Sequence, residues 1–499
     1  MTNLLFITVD QWRGDCLSAV GHPCVKTPNL DRLARDGTLF LRHYSQATPC
    51  GPSRASLYTG LYMFNHRSVS NGTPLDTRHR TVAELARRAG YDPVLFGYTD
   101  VSADPRGLDP DDPRLRTYEG IAPGFRAELF MGEDLAPWLD HLRRRGYGEV
   151  TQEDLYERPL GEPAPFRAED SETAFLTDRF LEWLEGRGET PWFAHLSYIK
   201  PHHPYVAAAP WHAAVSPRDV PPPVRAPSLA AEAAAHPWLR LHLELGYGGW
   251  TARHLGQPRD LDRARVARMR AVYYGLVAEL DHHLGRIFER LAARGEMDRT
   301  LIVFASDHGD MLGDHWMLNK LGFFPQAFHV PLIIRDPSPE AARGVRVEAF
   351  TEHVDLMPTI LERLGIEVPL QCDGRSLLPF LRGEPPADWR EAAVYEHDFR
   401  DLEEGRFEQR LGLSPEACCL MVRLGRKRAY VHFAALPALC YDLERDPAWL
   451  TDIAEDPARR AEVLAEAQAL LSFRMLRNER RLSGALLTPS GVRGRFDPH

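Results

Sequence analysis

Two short apolar runs, each ending in a cluster of polar groups, constrain this chain most. Leu4–Val9 leads into Asp10-Gln11, and Leu301–Ala305 leads through Ser306 into Asp307-His308-Gly309-Asp310. A continuous apolar run of that length predicts a central strand covered on both faces. Further strands are expected at Pro93–Gly97, Trp192–Tyr198 and Pro331–Ile334. Helical spacing of apolar residues predicts helices over Val82–Ala89, Ser171–Leu184, Arg263–Ala293 and Asp355–Leu364. The alternation predicts an α/β sandwich around a large, mostly parallel sheet. In open sheets of this kind ligands collect at the carboxyl ends of the strands, so the two polar ends face one crevice. Asp10, Gln11, Asp307 and His308 then offer two carboxylates, an imidazole and an amide oxygen, a set suited to one Mn²⁺, Ca²⁺ or Mg²⁺ ion.

The last quarter changes character. Short strands are expected at Cys418–Leu424 and Arg428–Phe433, with a final helix near Glu455–Leu471. The expected division is a catalytic unit over 1–374 and a smaller α+β unit over 375–499. From Leu482 the tail is rich in Gly and Arg without an apolar period, and is expected to be disordered or to pack on a neighbouring subunit. Pro201–Pro227, rich in Pro and Ala, is expected as a loop wrapped over the sheet.

A formal charge of −10 argues against a nucleic-acid partner, and no apolar stretch approaches membrane-spanning length. The seven cysteines lack regular spacing, so neither a disulfide framework nor a zinc ribbon is indicated. The first ten residues read as a buried strand and not a signal peptide, which makes the cytoplasm the expected location.

One cysteine stands apart. Cys50-Gly51-Pro52-Ser53-Arg54 opens a helix that continues through Leu61. Cys50 is thus placed at a helix N-terminus, where free N–H groups and the dipole favour an anion. Arg54, about one turn on, is expected to point back toward the same spot. A buried structural cysteine is the plainer reading of the pentapeptide alone.

The run T-P-C-G-P-S-R-A-S-L-Y-T-G resembles the signature C-x-[PA]-x-R of the formylglycine sulfatases, in the alkaline phosphatase superfamily. The similarity continues through D-Q-W-R-G-D at 10–15, T-P-N-L-D-R-L at 27–33, K-P-H-H-P-Y at 200–205, S-D-H-G-D-M-L-G-D-H at 306–315 and C-D-G-R-S-L-L-P-F-L at 372–381. It is nearest to the phosphonate monoester hydrolase/phosphodiesterase branch. The resemblance implies an alkaline phosphatase-like fold and conversion of Cys50 to formylglycine by a maturation enzyme. It further implies one divalent metal held by Asp10, Gln11, Asp307, His308 and the residue-50 oxygen. Asn71, Tyr98, His202 and Lys320 would line the pocket around a small anionic ester.

By this resemblance the formylglycine hydrate attacks phosphorus or sulfur, and His202, with an ordinary pKa near neutrality, protonates the leaving oxygen with help from Lys320. Arg54 and Lys320 would face the oxygens of the transferring group. His203 competes with His202 for the acid's place, and only the family's Pro-His order favours His202. Ordinary arylsulfatases carry Gly-Lys-x-x-His after the strand that is Val94–Gly97 here, whereas this chain has Tyr98-Thr99-Asp100. The branch has a threonine where Asp100 stands, so Asp100 either meets the substrate or caps a turn. A dedicated arylsulfatase, or a phosphotransferase or inactive binding relative with unmodified Cys50, remain alternatives. The branch also implies a homotetramer with the tail beyond Leu482 in subunit contacts.

Overall fold

The computed structural model describes residues 2–496. The chain opens with β1 (Asn3–Asp10), α1 (Pro28–Arg35), β2 (Thr38–Tyr44), α2 (Cys50–Thr59), α3 (Val82–Arg88), β3 (Pro93–Gly97) and β4 (Arg126–Phe130). It continues with α4 (Glu172–Glu185), β5 (Phe193–Pro201), α5 (Arg263–Ala293), β6 (Thr300–Ser306), β7 (His329–Arg335) and α6 (Leu356–Arg363). The main sheet has nine strands among the described residues. Its path is Thr351–Glu352, β2, β7, β6, β1, β5, β3, β4, with Val345–Val347 added beside β2.

The centre of the sheet explains the apolar runs. On β1, Leu5, Ile7 and Val9 pack under α1, α4 and α5, while Leu4 and Phe6 face α2, α3 and α6. Both faces are covered, so the strand stays apolar from Leu4 to Val9 apart from the small, buried Thr8. β1 lies parallel to β5 and to β6, with Thr8 opposite both Ser197 and Ala305. Three strand ends therefore stand side by side: Asp10 on β1, Asp307 after β6, and the His202 loop after β5. The sheet is mixed, since β7 runs antiparallel to β6 and β2. The architecture is the expected α/β sandwich around a large, mostly parallel sheet.

The smaller sheet comprises β8 (Ala393–Asp398), β9 (Cys419–Leu424), β10 (Arg428–Phe433) and β11 (Leu439–Asp442), paired antiparallel in that order. Its far edge comes from the other end of the chain. Ala47 and Thr48 pair in parallel with Glu396 and His397, directly before α2. Helix α7 (Arg460–Leu476) starts and ends about five residues later than expected and seats Leu470 against Val394, Tyr430 and Cys440. The tail forms a hairpin, β12 (Ala485–Thr488) and β13 (Gly491–Gly494). Residues 497–499, the end of the expected subunit arm, lie outside the described residues. No helix of the described residues is long and apolar enough to cross a membrane.

Candidate active site

Helix α2 begins at Cys50 and is buried along its whole length. Cys50 Sγ lies 3.2 Å from His308 Nε2. Ligand atoms of Asp10, Cys50, Asp307 and His308 all fall within 4.8 Å of one another, and all four residues are buried. Gly309 lets the loop after β6 turn here. A Cβ on it would stand 2.1 Å from the Gln326 carbonyl, so only glycine fits behind His308.

The donor set fits a cation on two counts. Asp10 Oδ1 is buried with no hydrogen-bond partner among the described residues. His308 Nδ1 lies 3.0 Å from the Gly309 carbonyl, to which it donates in the neutral ring, and this leaves the Nε2 lone pair directed to Cys50 and Asp10. Burial first, and then the charge of Lys320, push the His308 pKa down to about 3. The neutral imidazole is the form that ligates a metal.

The two carboxyls divide one charge between them. Burial pushes Asp10 up, but the surrounding imidazoles, Lys320 and Arg54 outweigh it and hold the group well below the usual range. Asp307 is pushed up to about 7, by burial and by Asp10, against the pull of Arg54. A divalent cation would let both ionise together.

Arg54 acts on this pair and not on the space in front of Cys50. Its Nε donates to Asp307 Oδ2 at 2.9 Å and its Nη2 to Asp10 Oδ2 at 3.3 Å, while Nη1 reaches the Tyr98 carbonyl and Ser197 Oγ. The guanidinium is fully buried and stacks 4.3 Å from the Tyr98 ring centre. Tyr98 likewise turns its hydroxyl onto Asp10 Oδ2. Arg54 and Tyr98 thus both hold the carboxylates, and the buried guanidinium has the charged partners that burial demands.

Gln11 sits beside the cluster with φ of 70°. Its Nε2 donates to Asp310, which also accepts from Tyr205, and its Oε1 accepts from Lys320 Nζ at 2.9 Å. Asp310 therefore fixes which end of the amide faces the site. An amide oxygen has two lone pairs, so accepting from Lys320 leaves one for a cation.

Lys320 Nζ also stands 2.7 Å from His202 Nε2, and His202 Nδ1 is 2.6 Å from the His203 carbonyl. His202 is the histidine at the cluster, whereas His203 stacks on it and meets Thr251 Oγ1 at 3.2 Å. The near-neutral pKa expected for His202 does not hold. Burial and Lys320 lower it to about 3. Burial alone would lower Lys320 too, but Cys50, Asp10 and Asp307 outweigh it and raise the ammonium's pKa. At neutral pH the proton of this pair belongs to Lys320, with neutral His202 accepting from it.

Asn71 and Asp100 flank the helix start. Asn71 Oδ1 accepts from Gly51 N at 2.8 Å. Asp100 has φ of 49° and a buried Oδ1 with no partner among the described residues. Burial first, with Asp10, Glu119 and Asp307 adding to it and Arg54 opposing, pushes its pKa up to about 8. A carboxyl that keeps its proton at neutral pH presents no charge to an anionic ester. Asp310 and Tyr205 were not singled out from sequence, although both lie inside the motifs D-H-G-D and K-P-H-H-P-Y.

Such a constellation on such a sheet defines a hydrolase of the alkaline phosphatase superfamily with a buried metal-binding group that includes Cys50. Within it the chain belongs to the sulfatase family, whose model matches residues 2–366; the N-sulphoglucosamine sulphohydrolase C-terminal model matches residues 313–475. It is 42% identical to the multifunctional alkaline phosphatase superfamily protein PehA of Trinickia caryophylli, covering 98% of each chain. It superposes on the phosphonate monoester hydrolase of Agrobacterium radiobacter with a TM-score of 0.95 at 46% identity, covering 99% of this chain and 100% of that one. The phosphonate monoester hydrolase of Silicibacter pomeroyi gives 0.94 at 41%, covering 99% of both.

Proposed function

We propose that this chain hydrolyses phosphonate monoesters and phosphodiesters and also accepts sulfate monoesters, with residue 50 working as formylglycine. The whole-length likeness to a phosphonate monoester hydrolase at 46% identity carries the substrate class. The site supports the modification. Burial, and next the charge of Asp10, push the Cys50 thiol well above its usual pKa in the metal-free site, and Cys50 lies among the groups that could hold a cation, where an oxygen is the better ligand for Mn²⁺ or Ca²⁺. As formylglycine hydrate, with the Sγ position taken by oxygen, residue 50 supplies one oxygen to displace the leaving group and a second hydroxyl to expel the product anion. A divalent cation held by Asp10, Asp307 and His308, with Gln11 beside them, supplies Lewis-acid polarisation.

The chain's own groups do the rest. Lys320 has three N–H bonds, of which Gln11 Oε1 and His202 Nε2 occupy two. The third is left to donate to the leaving oxygen, so Lys320 is the proton donor and His202 its anchor. Arg54 and Tyr98 keep the carboxylates in register, and Asn71 holds the first turn of α2 beside the nucleophile.

Comparing kcat/KM for matched aryl phosphonate, diester, sulfate and phosphate esters tests this reading. The singly charged phosphonate and diester should be preferred, and a sulfate ester turned over far better than both would favour an arylsulfatase. Asp100 adds a pH signature. Below pH 8 it is neutral, and above pH 8 its charge opposes the substrate. One extra charge a few ångströms away costs roughly 1–4 kcal/mol, or about one to three decades in rate. Discrimination against the phosphate dianion should therefore grow above pH 8 in wild type and stay flat in Asp100→Thr. Equal pH profiles in the two proteins would show that Asp100 does not face the substrate.

For assembly, the reading is a homotetramer. Leu464, Leu471, Met475 and Leu476 on α7, and Leu486, Leu487 and Val492 on the hairpin, are exposed, with Leu487 at 81%. Apolar side chains gathered at one end of the chain support a subunit contact there. Light scattering on a chain ending at Arg480 should give a smaller species than the full chain, and an unchanged mass would refute a role for the tail.

A further inference from the structure

Below the site, and outside it, lies a second buried charged group. Lys200 and Glu172 are each about 95% buried, and Lys200 Nζ stands 3.0 Å from Glu172 Oε1. Glu172 Oε2 accepts from the Tyr156 hydroxyl at 2.9 Å, and the ammonium lies 4.8 Å from the Tyr156 ring centre. The remaining donors of Lys200 go to two main-chain oxygens, His202 O and Pro204 O, each at 3.3 Å.

The contacts of this lysine give it its role. Two of its N–H bonds go to main-chain oxygens of the loop, and its charge is balanced by the Glu172 carboxylate beside the Tyr156 ring, so it is committed to the loop and not to a substrate. The main chain of the segment it grips has few hydrogen bonds of its own. Pro201 and Pro204 have no N–H to donate, and within the turn His202 N reaches Ile199 O. Buried ion pairs seldom improve stability over an apolar pair of the same size, so this one is better explained by what it fixes in place.

We infer that Lys200, anchored by Glu172 and Tyr156, is a positioning residue that sets the His202 ring and, through it, the proton-donating Lys320. The inference rests on Lys320 protonating the leaving oxygen. His202 is tied at four points: its N–H to Ile199 O, its carbonyl to Lys200, its Nδ1 to the His203 carbonyl, and its Nε2 to Lys320. Releasing the carbonyl lets the loop shift and moves the acceptor that aims Lys320. The chemistry at residue 50 and the metal carboxylates would be untouched.

The test uses leaving groups of different need. A 4-nitrophenyl ester departs with little protonation, whereas a phenyl ester depends on it. The variant is Lys200→Met with Glu172→Gln, which removes both charges together and keeps an acceptor for Tyr156. A general acid is worth about 10²–10⁴-fold, so partial misplacement should cost the phenyl phosphonate at least about tenfold more in kcat than the nitrophenyl one. Lys320→Ala serves as the benchmark and should show a larger gap of the same sign. Equal losses on both esters, or no loss, while Lys320→Ala discriminates, would overturn the positioning role. If Lys320→Ala itself fails to discriminate, the assignment of the proton donor is what fails, and this inference falls with it. Thermal melting establishes that the double variant is folded. If it is not, Glu172→Gln alone keeps every heavy atom of the clamp's shape and should show the same gap at reduced size.

Discussion

Asp307→Asn is expected to abolish metal binding and lower turnover about a thousandfold, roughly 4 kcal/mol of transition-state stabilisation. Asp307 Oδ1 accepts from the main-chain N–H groups of Gln11 and His308, and Oδ2 accepts from Arg54. Each of these hydrogen-bond partners is a donor, so an asparagine must set its NH₂ against one of them. That mismatch costs about 1–3 kcal/mol of stability, small enough for the chain to remain folded. Metal binding carries a pH signature of the same residue. With its pKa pushed up to about 7, Asp307 must lose a proton to bind a cation, so affinity for Mn²⁺ in the wild type should rise as pH passes from 6 to 8. Calorimetric titration with Mn²⁺ at three pH values reads both effects. A variant that binds Mn²⁺ like the wild type, or a pH-independent wild type, would contradict the assignment of Asp307 as a ligand.

Cys50→Ala should be more damaging still. Deleting the nucleophile of a covalent enzyme costs on the order of a millionfold in kcat, because the groups built around it then have nothing to act on. The fold should tolerate the change, since Sγ makes one polar contact, with His308. Its companion measurement is the intact mass of the wild-type peptide containing residue 50. Formylglycine lowers the mass by about 18 Da and its hydrate restores about as much, whereas thiol oxidation only adds oxygen. Active protein with an unmodified cysteine there would sink the proposed chemistry, and so would an alanine variant with wild-type turnover.

How much of this was legible beforehand depended on the kind of signal. Asp10 and Asp307 could be placed together because each follows an apolar run that only a doubly covered strand explains. Strand β2, Thr-Leu-Phe-Leu-Arg-His-Tyr, escaped notice because Arg42 and His43 break its apolar pattern, and β4 because exposed and half-buried positions alternate along it. The antiparallel β7 reads like any other buried strand, as direction leaves no mark on composition. Roles were harder than positions. Arg54 was visible in its motif, but only the fold shows that its guanidinium runs back under Cys50 to two carboxylates. For His202 the error lay in using a solution pKa for a ring that burial and a neighbouring ammonium keep neutral. Lys200 and Glu172 are 28 residues apart and carry no joint pattern, so their pairing had no signal in the chain.

The strand Ala47–Thr48 has a consequence for synthesis. It is made early, yet the sheet it completes is finished only by β11, whose last residue is Asp442. About 390 further residues must be assembled first, which at roughly 5–20 residues per second takes on the order of 20–80 seconds. For about the first 350 of those residues, until Glu396 and His397 of β8 are made, the segment two residues before Cys50 has no partner strand. In the finished molecule Cys50 is only 4% exposed and out of reach of another enzyme. If residue 50 is converted by another enzyme, as proposed, the conversion must precede that burial, and the late closure of the C-terminal sheet lengthens the time in which the chain beside Cys50 is still unpaired.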